Sequence, residues 1–318
     1  MGKYLVGFDV GGTNIKLALM TRALEPVAFT SFPTRVEDGY DRISQQMIRQ
    51  IEKLVSENGV SPDEIAAIGM GLPGTVDTVR QKTVYLSILQ WDDMNPCEKL
   101  GEYFHVPCRI ENDANLNALG EYHFTFHREM DNMVLLTLGT GIGSGIILRG
   151  RLYGGTSNHG AELGHMTIVA DGGRTCLCGR PGHWEAYCSG TALERYVAQR
   201  LADFPDSLLH REIAAAGRYD NRQLFQCLQQ GDPLAQETFS QFLRYLAVGI
   251  ANVMKILAPD LIVLGGGLSQ AGEVLFSPLE GEVRKHLIDP GQFCPIVPAQ
   301  LNVRAGAYGA CVLASEAL

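Results

Sequence analysis

The 318-residue sequence has no apolar run long enough to cross a membrane or to form the core of a signal peptide. Its first apolar segment, YLVGFDV at residues 4–10, is too short for either role and is interrupted by Asp9. We therefore expect a cytoplasmic protein with no membrane partner.

Blocks of lysine or arginine are also absent, and the formal net charge is −9. A surface that binds nucleic-acid phosphates needs clustered positive charge, so the composition argues against a nucleic-acid partner. Low-complexity tracts and linkers rich in proline, glycine and serine are lacking as well. Because 46% of the residues are hydrophobic, a chain of this length can form two cores, and we expect two domains.

Cysteine occurs at eight positions, mostly in isolation. In a large cytoplasmic chain, scattered cysteines usually behave as small buried hydrophobic residues. Cys176 and Cys178 are close enough in sequence to act together, but one intervening residue makes an ordinary disulfide between them unfavourable. This pair is better suited to sharing a ligand. The remaining cysteines are Cys97, Cys108, Cys188, Cys227, Cys294 and Cys311.

Hydrophobic patterning predicts an α/β protein with a repeated unit. Residues 3–20 and 133–149 each suggest an apolar strand, a glycine-rich turn and a second apolar strand, about 130 residues apart. Apolar residues at helical spacing predict a helix through residues 43–54 and another through residues 242–257, which Pro259 ends. Strands alternating with helices, with a hairpin at the start of each half, favour partly parallel sheets.

Three glycine turns follow apolar strands: DVGGT at 9–13, GTGIGSG at 139–145 and GGG at 265–267. Glycine lets backbone N–H groups approach a phosphate closely without help from lysine, although a single such turn is more often a simple hairpin. None of the turns has the P-loop sequence, and an apolar strand rather than a helix follows residues 139–145. Three turns together favour a nucleotide site.

Two aspartates adjoin predicted strand ends. Asp9 is either a turn-capping residue or, beside a triphosphate, a carboxylate that holds Mg²⁺ through water. Asp113, in the segment RIENDANLNALG, is either a helix N-cap or a general base for a hydroxyl that approaches a phosphate, with Asn112 hydrogen-bonding to neighbouring hydroxyls.

Four nitrogen and sulfur ligands lie within nineteen residues, at His165, Cys176, Cys178 and His183. They are sufficient for a closed tetrahedral zinc site, in which zinc is structural because no coordination position is left for water; buried free thiols are the alternative. Glycines in CGRPGH allow the loop to curl around an ion. Glu185 would then be held rigidly by the metal loop.

The segments DVGGTNIK, GLPGTVD, END, GTGIGSG, ELGH, CLCGRPGHWEA and VLGGGL, in this order, resemble the ROK family of bacterial sugar kinases and sugar-responsive repressors. This resemblance implies a two-domain, actin- and hexokinase-like fold, with ribonuclease-H-like halves that close over a cleft. It also implies ATP, Mg²⁺ and structural Zn²⁺ as cofactors, a hexose as substrate and a homodimer as assembly.

The resemblance assigns roles to individual residues. Asp113 is the implied catalytic base, which takes the proton from a sugar hydroxyl, expected to be the 6-hydroxyl, as that hydroxyl attacks the γ-phosphate of ATP. The hexose is expected to contact Gly74, Asn112, Glu162, His165 and Glu185. The nucleotide and its Mg²⁺ are expected at Asp9, Gly11, Gly12, Thr13, Gly139, Thr140, Gly141, Gly143, Gly265 and Gly266.

Glucose or a close relative is the expected hexose; fructose, allose, mannose and N-acetylhexosamines are alternatives, as is a sugar-binding regulatory protein without kinase activity. Because the first strand is predicted to begin near residue 4, we do not expect the N-terminal helix-turn-helix domain of the family's repressors. The sequence departs from the family at His183, where a third cysteine is usual, and at Ala161, where many members have glycine.

We expect a smaller domain of residues 1–115 plus 303–318, to which a final helix at about 303–317 returns, and a larger domain of residues 116–302 that carries the zinc loop.

Overall fold

The computed structural model describes residues 2–86, 89–156 and 160–318. The chain divides into two compact units. The first unit contains Met1–Asp131, Gly145–Ala161 and Gln300–Leu318, and the second contains Asn132–Ser144 and Glu162–Ala299. Asn158 and His159, which precede the ELGH segment, lie outside the described residues.

The first unit is built on a mixed sheet with the strand order β3-β2-β1-β4-β7. Strands β1, β2 and β3 are antiparallel, whereas β4 and β7 continue the sheet parallel to β1. A separate hairpin pairs β5 with β6. The elements up to residue 124 are β1 (Tyr4–Val10), β2 (Asn14–Thr21), β3 (Pro26–Pro33), α1 (Gly39–Glu57), β4 (Ile65–Leu72), β5 (Thr75–Asp77), β6 (Lys82–Tyr85), α2 (Glu98–Phe104), β7 (Cys108–Asn112) and α3 (Asp113–Phe124).

The predicted helix through residues 43–54 is α1, whose buried residues Ile43, Met47 and Ile51 pack with the apolar side chains of the first sheet. The last helix, α10 (Ala305–Ser315), belongs to the first unit and packs against α3. There Phe124 meets Tyr308 with ring centroids 5.1 Å apart. Because α3 is anchored in this way, the first unit extends to residue 131 rather than to the expected 115.

The second sheet has the order β10-β9-β8-β11-β12, in which β8, β11 and β12 are parallel. Each sheet thus begins with two neighbouring strands joined by a glycine turn, as the repeated pattern predicts. The remaining elements are β8 (Met133–Leu138), β9 (Ile142–Leu148), β10 (Arg151–Leu152), α4 (Glu185–Cys188), α5 (Gly190–Arg200), α6 (Leu208–Ala216), α7 (Asn221–Gln229), α8 (Pro233–Leu257), β11 (Leu261–Gly265), α9 (Glu273–Arg284) and β12 (Ile296–Pro298).

Helix α8 forms the centre of the second unit's helical layer. It begins after Asp232, whose side chain accepts a hydrogen bond from the Ala235 N–H, and ends at Leu257, with Ala258 as its C-cap before Pro259. Its buried stripe includes Phe242, Leu246, Ile250 and Val253, whereas Leu257, at the end of the predicted stripe, is only half-buried. Across the described residues, none of the helices is both long enough and apolar enough to cross a membrane.

One expectation about the cysteines is wrong. Cys97 and Cys108 do not remain isolated thiols but form a disulfide, with Cα atoms 5.4 Å apart, that links the segment before α2 to the start of β7. Their sequence separation is 11, and the return of the chain through α2 brings them together.

Candidate functional site

Asp9 lies at the end of β1, directly opposite Lys16 of β2 in the antiparallel register. The Lys16 Nζ is 2.6 Å from the Asp9 Oδ2, and the Asp9 side chain is buried. Burial of an ionised carboxylate is costly unless it is paired, so Lys16 provides the charge that makes this position favourable for Asp9.

The first glycine turn, Gly11–Thr13, joins these two strands. The Gly11 N–H donates to the Asn14 carbonyl at 3.1 Å, and the turn is also held by Thr34, just beyond β3. Thr34 donates its hydroxyl to the Gly11 carbonyl at 2.6 Å and its N–H to the Thr13 carbonyl at 2.8 Å. The conformation of the turn is therefore fixed by backbone hydrogen bonds and one threonine, without a lysine in the turn.

Asn112 and Asp113 mark the junction between β7 and α3. The helix is capped by Asn112, whose Oδ1 accepts from the N–H groups of Ala114 and Asn115 at 2.9 and 3.1 Å. The Asn112 Nδ2 also donates to the Gly74 carbonyl at 3.0 Å. Asp113 is the first residue of the helix, so the N-cap role considered for it belongs to its neighbour.

The Asp113 carboxyl has the electrostatic environment of a base that works near neutral pH. Burial raises its pKa to about 7, and the nearby Asp9 carboxylate acts in the same direction, whereas the Ala114 N–H and Lys16 oppose the rise. A pKa near the working pH is the most effective value for general acid–base catalysis.

In the second unit, the four predicted metal ligands come together. One ligand atom from each of His165, Cys176, Cys178 and His183 lies within 4.8 Å of all the others. The two His Nδ1 atoms are 3.3 Å apart, Cys176 Sγ is 3.6 Å from His165 Nδ1, and Cys178 Sγ is 3.2 Å from His183 Nδ1. Tetrahedral zinc with bonds of about 2.0 Å to nitrogen and about 2.3 Å to sulfur requires ligand separations of roughly 3.3–3.7 Å. These three separations are close to that range, and the nitrogen and sulfur donors, His183 among them, are ligand types that zinc accepts.

The loop that carries these ligands is anchored to the helical layer. Its backbone turns at Gly179 and Gly182, which have φ of +84° and +78°. Trp184, next to His183, is fully buried and donates its indole N–H to the Tyr245 carbonyl of α8 at 2.9 Å. Its ring occupies the space beside Gly249, where even a methyl group would collide with it.

Glu185 is buried between the metal loop and the second glycine turn. Its Oε1 accepts from the Cys176 thiol at 2.8 Å, and its Oε2 accepts from the Ile142 N–H at 3.3 Å. A Cβ atom at Gly141 would lie 2.5 Å from Oε2, so a larger residue at that position would have to displace the carboxylate. Glu162 and His165 lie on the exposed side of the loop, with Glu162 Oε2 4.0 Å from His165 Nε2.

A cavity of about 550 Å³ opens beside the second glycine turn. Gly139 and Thr140 line it, as does Gly267 of the third glycine turn. Among the described residues, Gly141, Gly143, Gly265 and Gly266 do not belong to its lining. The cavity is also lined by residues that sequence reasoning missed: Gly190, Thr191, Glu194, Asp220, Asn221, Arg222, Leu268 and Gln270.

The beginning of α5 contributes most directly to this cavity. The Gly190 N–H donates to the Gly139 carbonyl at 2.7 Å, and Ser189 caps the helix by accepting from the Ala192 N–H. The sequence CSGT contains a serine that could cap a helix, followed by glycine, and so could have predicted the start of α5. It does not indicate which glycine turn that helix start contacts. A helix N-terminus next to a glycine turn is a suitable environment for phosphate.

The chain is similar to known proteins over most of its length. The family model described as "ROK family" matches residues 5–317. A glucokinase of Halalkalibacterium halodurans is 33% identical over 278 residues, which are 87% of this chain and 84% of that protein.

Two solved structures resemble the chain over nearly its whole length. The ROK hexokinase from Thermus thermophilus has a TM-score of 0.82 and 33% identity, covering 98% of this chain and 97% of that one. The ROK family glucokinase from Streptomyces griseus, in complex with glucose and AMPPNP, has a TM-score of 0.80 and 30% identity, covering 98% and 99%. The mixed α/β architecture is thus that of the actin- and hexokinase-like fold, and the chain belongs to the ROK family.

Proposed function

We propose that the protein is an ATP-dependent sugar kinase that phosphorylates a hexose at its 6-hydroxyl, with glucose as the first substrate to test. The observation that carries this proposal is Asp113, a carboxyl at the start of α3 whose pKa of about 7 suits a general base. The relatedness to a glucokinase and to a glucokinase structure that holds glucose and AMPPNP supports the choice of sugar and nucleotide.

The first unit supplies the acid–base chemistry. Asp113 accepts the proton of the sugar hydroxyl as its oxygen attacks the γ-phosphorus of ATP and ADP leaves. Asn112 and Gly74, joined by a hydrogen bond of 3.0 Å, are assigned to the sugar. The turn Gly11–Thr13 is assigned to the phosphates, and Asp9 to the Mg²⁺ ion, which when bound neutralises phosphate charge. Phosphoryl transfer requires mainly such positioning and charge stabilisation.

The second unit supplies the nucleotide cavity and further sugar contacts. A volume of about 550 Å³ is typical of a small-molecule site, and Gly139, Thr140 and Thr191 place backbone and hydroxyl groups in its wall. We assign this cavity to ATP, with Gly141, Gly143, Gly265 and Gly266 shaping the strands and turns around it. Glu162, His165 and Glu185 are assigned to sugar hydroxyls.

We assign the four-residue cluster to structural zinc, held by His165, Cys176, Cys178 and His183. Zinc in such a site would cross-link the loop, and four protein ligands would leave no position for a reacting water. The residues themselves orient one another: His165 directs Nδ1 into the cluster and Nε2 toward Glu162.

ATP consumption with a panel of hexoses tests the kinase proposal. The panel contains glucose, fructose, mannose, allose and N-acetylhexosamines, and the product is mapped by NMR to find the phosphorylated hydroxyl. Turnover of glucose at the 6-position supports the proposal. If another hexose of the panel is preferred, the kinase function stands and only the assigned substrate changes. Tight sugar binding without turnover of any member would favour the regulatory alternative.

We further propose a cytoplasmic homodimer, as the family resemblance implies. Sedimentation velocity of the purified protein tests the assembly, and a single species at the monomer mass of 34.7 kDa would contradict it.

A further inference from the structure

Two helices begin at the wall of the cavity beside the second glycine turn. Helix α5 begins at Gly190 and α7 begins at Asn221, and both residues line the cavity. The N–H groups in the first turn of a helix give that end a partial positive charge, so two such ends make this part of the wall favourable for an anion. Asn221 also brings a side-chain amide to the wall.

The orientation of the Asn221 amide is set by its neighbour Tyr219. The Tyr219 hydroxyl donates to the Asn221 Oδ1 at 2.9 Å. Because the oxygen is used in this way, Nδ2, which carries two donor hydrogens, is on the other arm of the amide. Within the part of the chain that the structure describes, this nitrogen has no hydrogen-bond acceptor. It is therefore available to a ligand.

The Asn221 Nδ2 lies beside the first residue of α5. A Cβ atom at Gly190 would be 2.9 Å from this nitrogen and 2.9 Å from the Gly139 carbonyl oxygen, so a side chain at this position would displace the amide. The amide, the helix start and the glycine turn thus meet at one point of the wall. The Gly190 N–H already donates to the Gly139 carbonyl at 2.7 Å, whereas the amide of Asn221 is not used there.

The acidic residue next to Asn221 is already paired. Asp220 accepts from the Arg222 Nε at 3.1 Å and from the Arg222 Nη2 at 2.7 Å. Glu194, which also lines the cavity, is four residues after Gly190 on α5, about one helical turn further from the helix start. An anion at the Asn221 amide therefore adjoins an ion pair rather than a free Asp220 carboxylate.

We propose that Asn221 is a nucleotide-binding residue, whose Nδ2 donates to a phosphate oxygen of ATP at the point where Gly139 meets Gly190. This assignment rests on the proposed kinase function and adds to it a residue of α7, which marks the phosphate end of the cavity. Tyr219 is the positioning residue that holds the amide in its donating orientation.

Comparison of ADP with adenosine tests this contact, because only ADP carries phosphates. In Asn221→Ala the affinity for ADP should fall about ten- to hundredfold, as expected for a lost hydrogen bond to a charged acceptor, while the affinity for adenosine should stay within about twofold. Isothermal titration calorimetry measures ADP binding, and ligand-observed NMR measures adenosine binding. The matched control is Gln229→Ala, which removes an exposed amide at the end of α7 and should bind both ligands as the wild type does.

Two further variants separate the donor from the residue that positions it. Asn221→Asp keeps the size of the side chain but replaces the donor by a carboxylate, so ADP affinity should fall further than in Asn221→Ala. Tyr219→Phe should weaken ADP binding about two- to fivefold, and it should have no further effect when combined with Asn221→Ala, because no amide is then left to hold. A merely structural role of Tyr219 would instead give the same loss in both backgrounds.

Unchanged ADP affinity in Asn221→Ala would overturn the proposal, because the amide would then make no contact with the phosphates. Equal losses of ADP and adenosine affinity would also overturn it, because Asn221 would then contact the nucleoside or shape the whole cavity. Either result leaves the kinase function to the hexose assay. If ADP binding depends on Asn221 as expected but no hexose is phosphorylated, the phosphate contact stands and the kinase function fails.

Discussion

The two sheets of this protein have the same strand order but differ in what is inserted between their strands. In both, the first two strands are joined by a glycine turn, and two parallel strands follow on the other side of the first. Between its third and fourth strands the first sheet has α1, whereas the second has the metal-ligand loop and α4 to α8. The shared strands provide a scaffold, and the insertion provides a new site.

The two glycine turns differ in their chemical surroundings. The first, Gly11–Thr13, follows a buried Asp9–Lys16 pair and is held by Thr34. The second, Gly139–Gly141, adjoins a cavity and the N-terminus of α5. The first turn thus lies beside a buried pair of opposite charges, and the second lies beside backbone donors and open volume.

Asp113→Asn should cause the largest loss of activity. Its effect should be limited to the catalytic step assigned to the first unit. Loss of a general base reduces kcat by about 10²- to 10⁴-fold, while sugar binding and zinc content should remain. Steady-state kinetics and calorimetry measure these properties, and Asp93→Asn, at a position 89% exposed, is the control. Activity within about tenfold of the wild type would refute the assignment of the base.

Cys176→Ser should affect the second unit instead. Stoichiometric zinc should be lost, and the free energy of unfolding should fall by several kcal/mol, because metal binding is coupled to folding of the loop. Elemental analysis and thermal denaturation measure both quantities.

His183 provides the matched comparison within the same cluster. His183→Ala should also lose zinc, whereas His183→Cys, which restores a sulfur ligand, should retain it. Unchanged zinc content in His183→Ala would remove His183 from the ligand set.

Because the pKa of Asp113 is raised, the stability of the first unit should depend on pH. Below the ordinary carboxyl pKa of 3.8 both folded and unfolded states are protonated, so the group has no effect on stability. As the pH rises toward about 7, the unfolded state loses its proton first, and the folded state becomes relatively less stable. Asp113→Asn should therefore raise Tm at pH 8 more than at pH 4. Equal changes at both values would contradict the raised pKa.

Glu121→Gln should destabilise the first unit without affecting the metal loop. The Glu121 side chain is fully buried, and its Oε1 accepts from the N–H groups of Gln300 and Leu301 at 2.9 and 2.7 Å. Replacing a charged acceptor by an amide should cost about 1–3 kcal/mol, measured by urea denaturation. Glu129→Gln, at an exposed position, is the control.

Ala161→Gly should change the free energy of unfolding least, and it should raise this free energy instead of lowering it. Ala161 has φ of +64°, a conformation that glycine adopts without strain, and it is where the chain passes from the first unit to the second. The substitution should stabilise the protein by about 0.5–1 kcal/mol in chemical denaturation. A loss of stability would show that the alanine methyl group contributes more by packing than it costs in strain.

Sequence reasoning was most successful where the determining interactions are local. The stripes of α1 and α8, the hairpin at residues 3–20 and the end of α8 before Pro259 follow from periodicity and from the backbone limits of glycine and proline. The grouping of His165, Cys176, Cys178 and His183 was also predictable, because soft nitrogen and sulfur ligands at short spacing are uncommon otherwise.

The sequence could not indicate contacts that depend on how the chain returns on itself. The Cys97–Cys108 disulfide, the hydrogen bonds from Thr34 to the first glycine turn and the walls of the cavity all depend on the tertiary path of the chain. The N-cap of α3 is a different case. Asn112 and Asp113 are both good capping residues, and the strand that ends at Asn112 decides between them.

The contact between Trp184 and Gly249 links two parts of the second unit that are far apart in sequence. Trp184 is flanked by His183 and Glu185, and its indole is placed by the absence of a side chain at the middle of α8. The position of the four-residue cluster is therefore set by packing in the hydrophobic core rather than by its own short loop. Mutations in the buried part of α8 that touch none of the four residues would accordingly disturb the arrangement of His165, Cys176, Cys178 and His183.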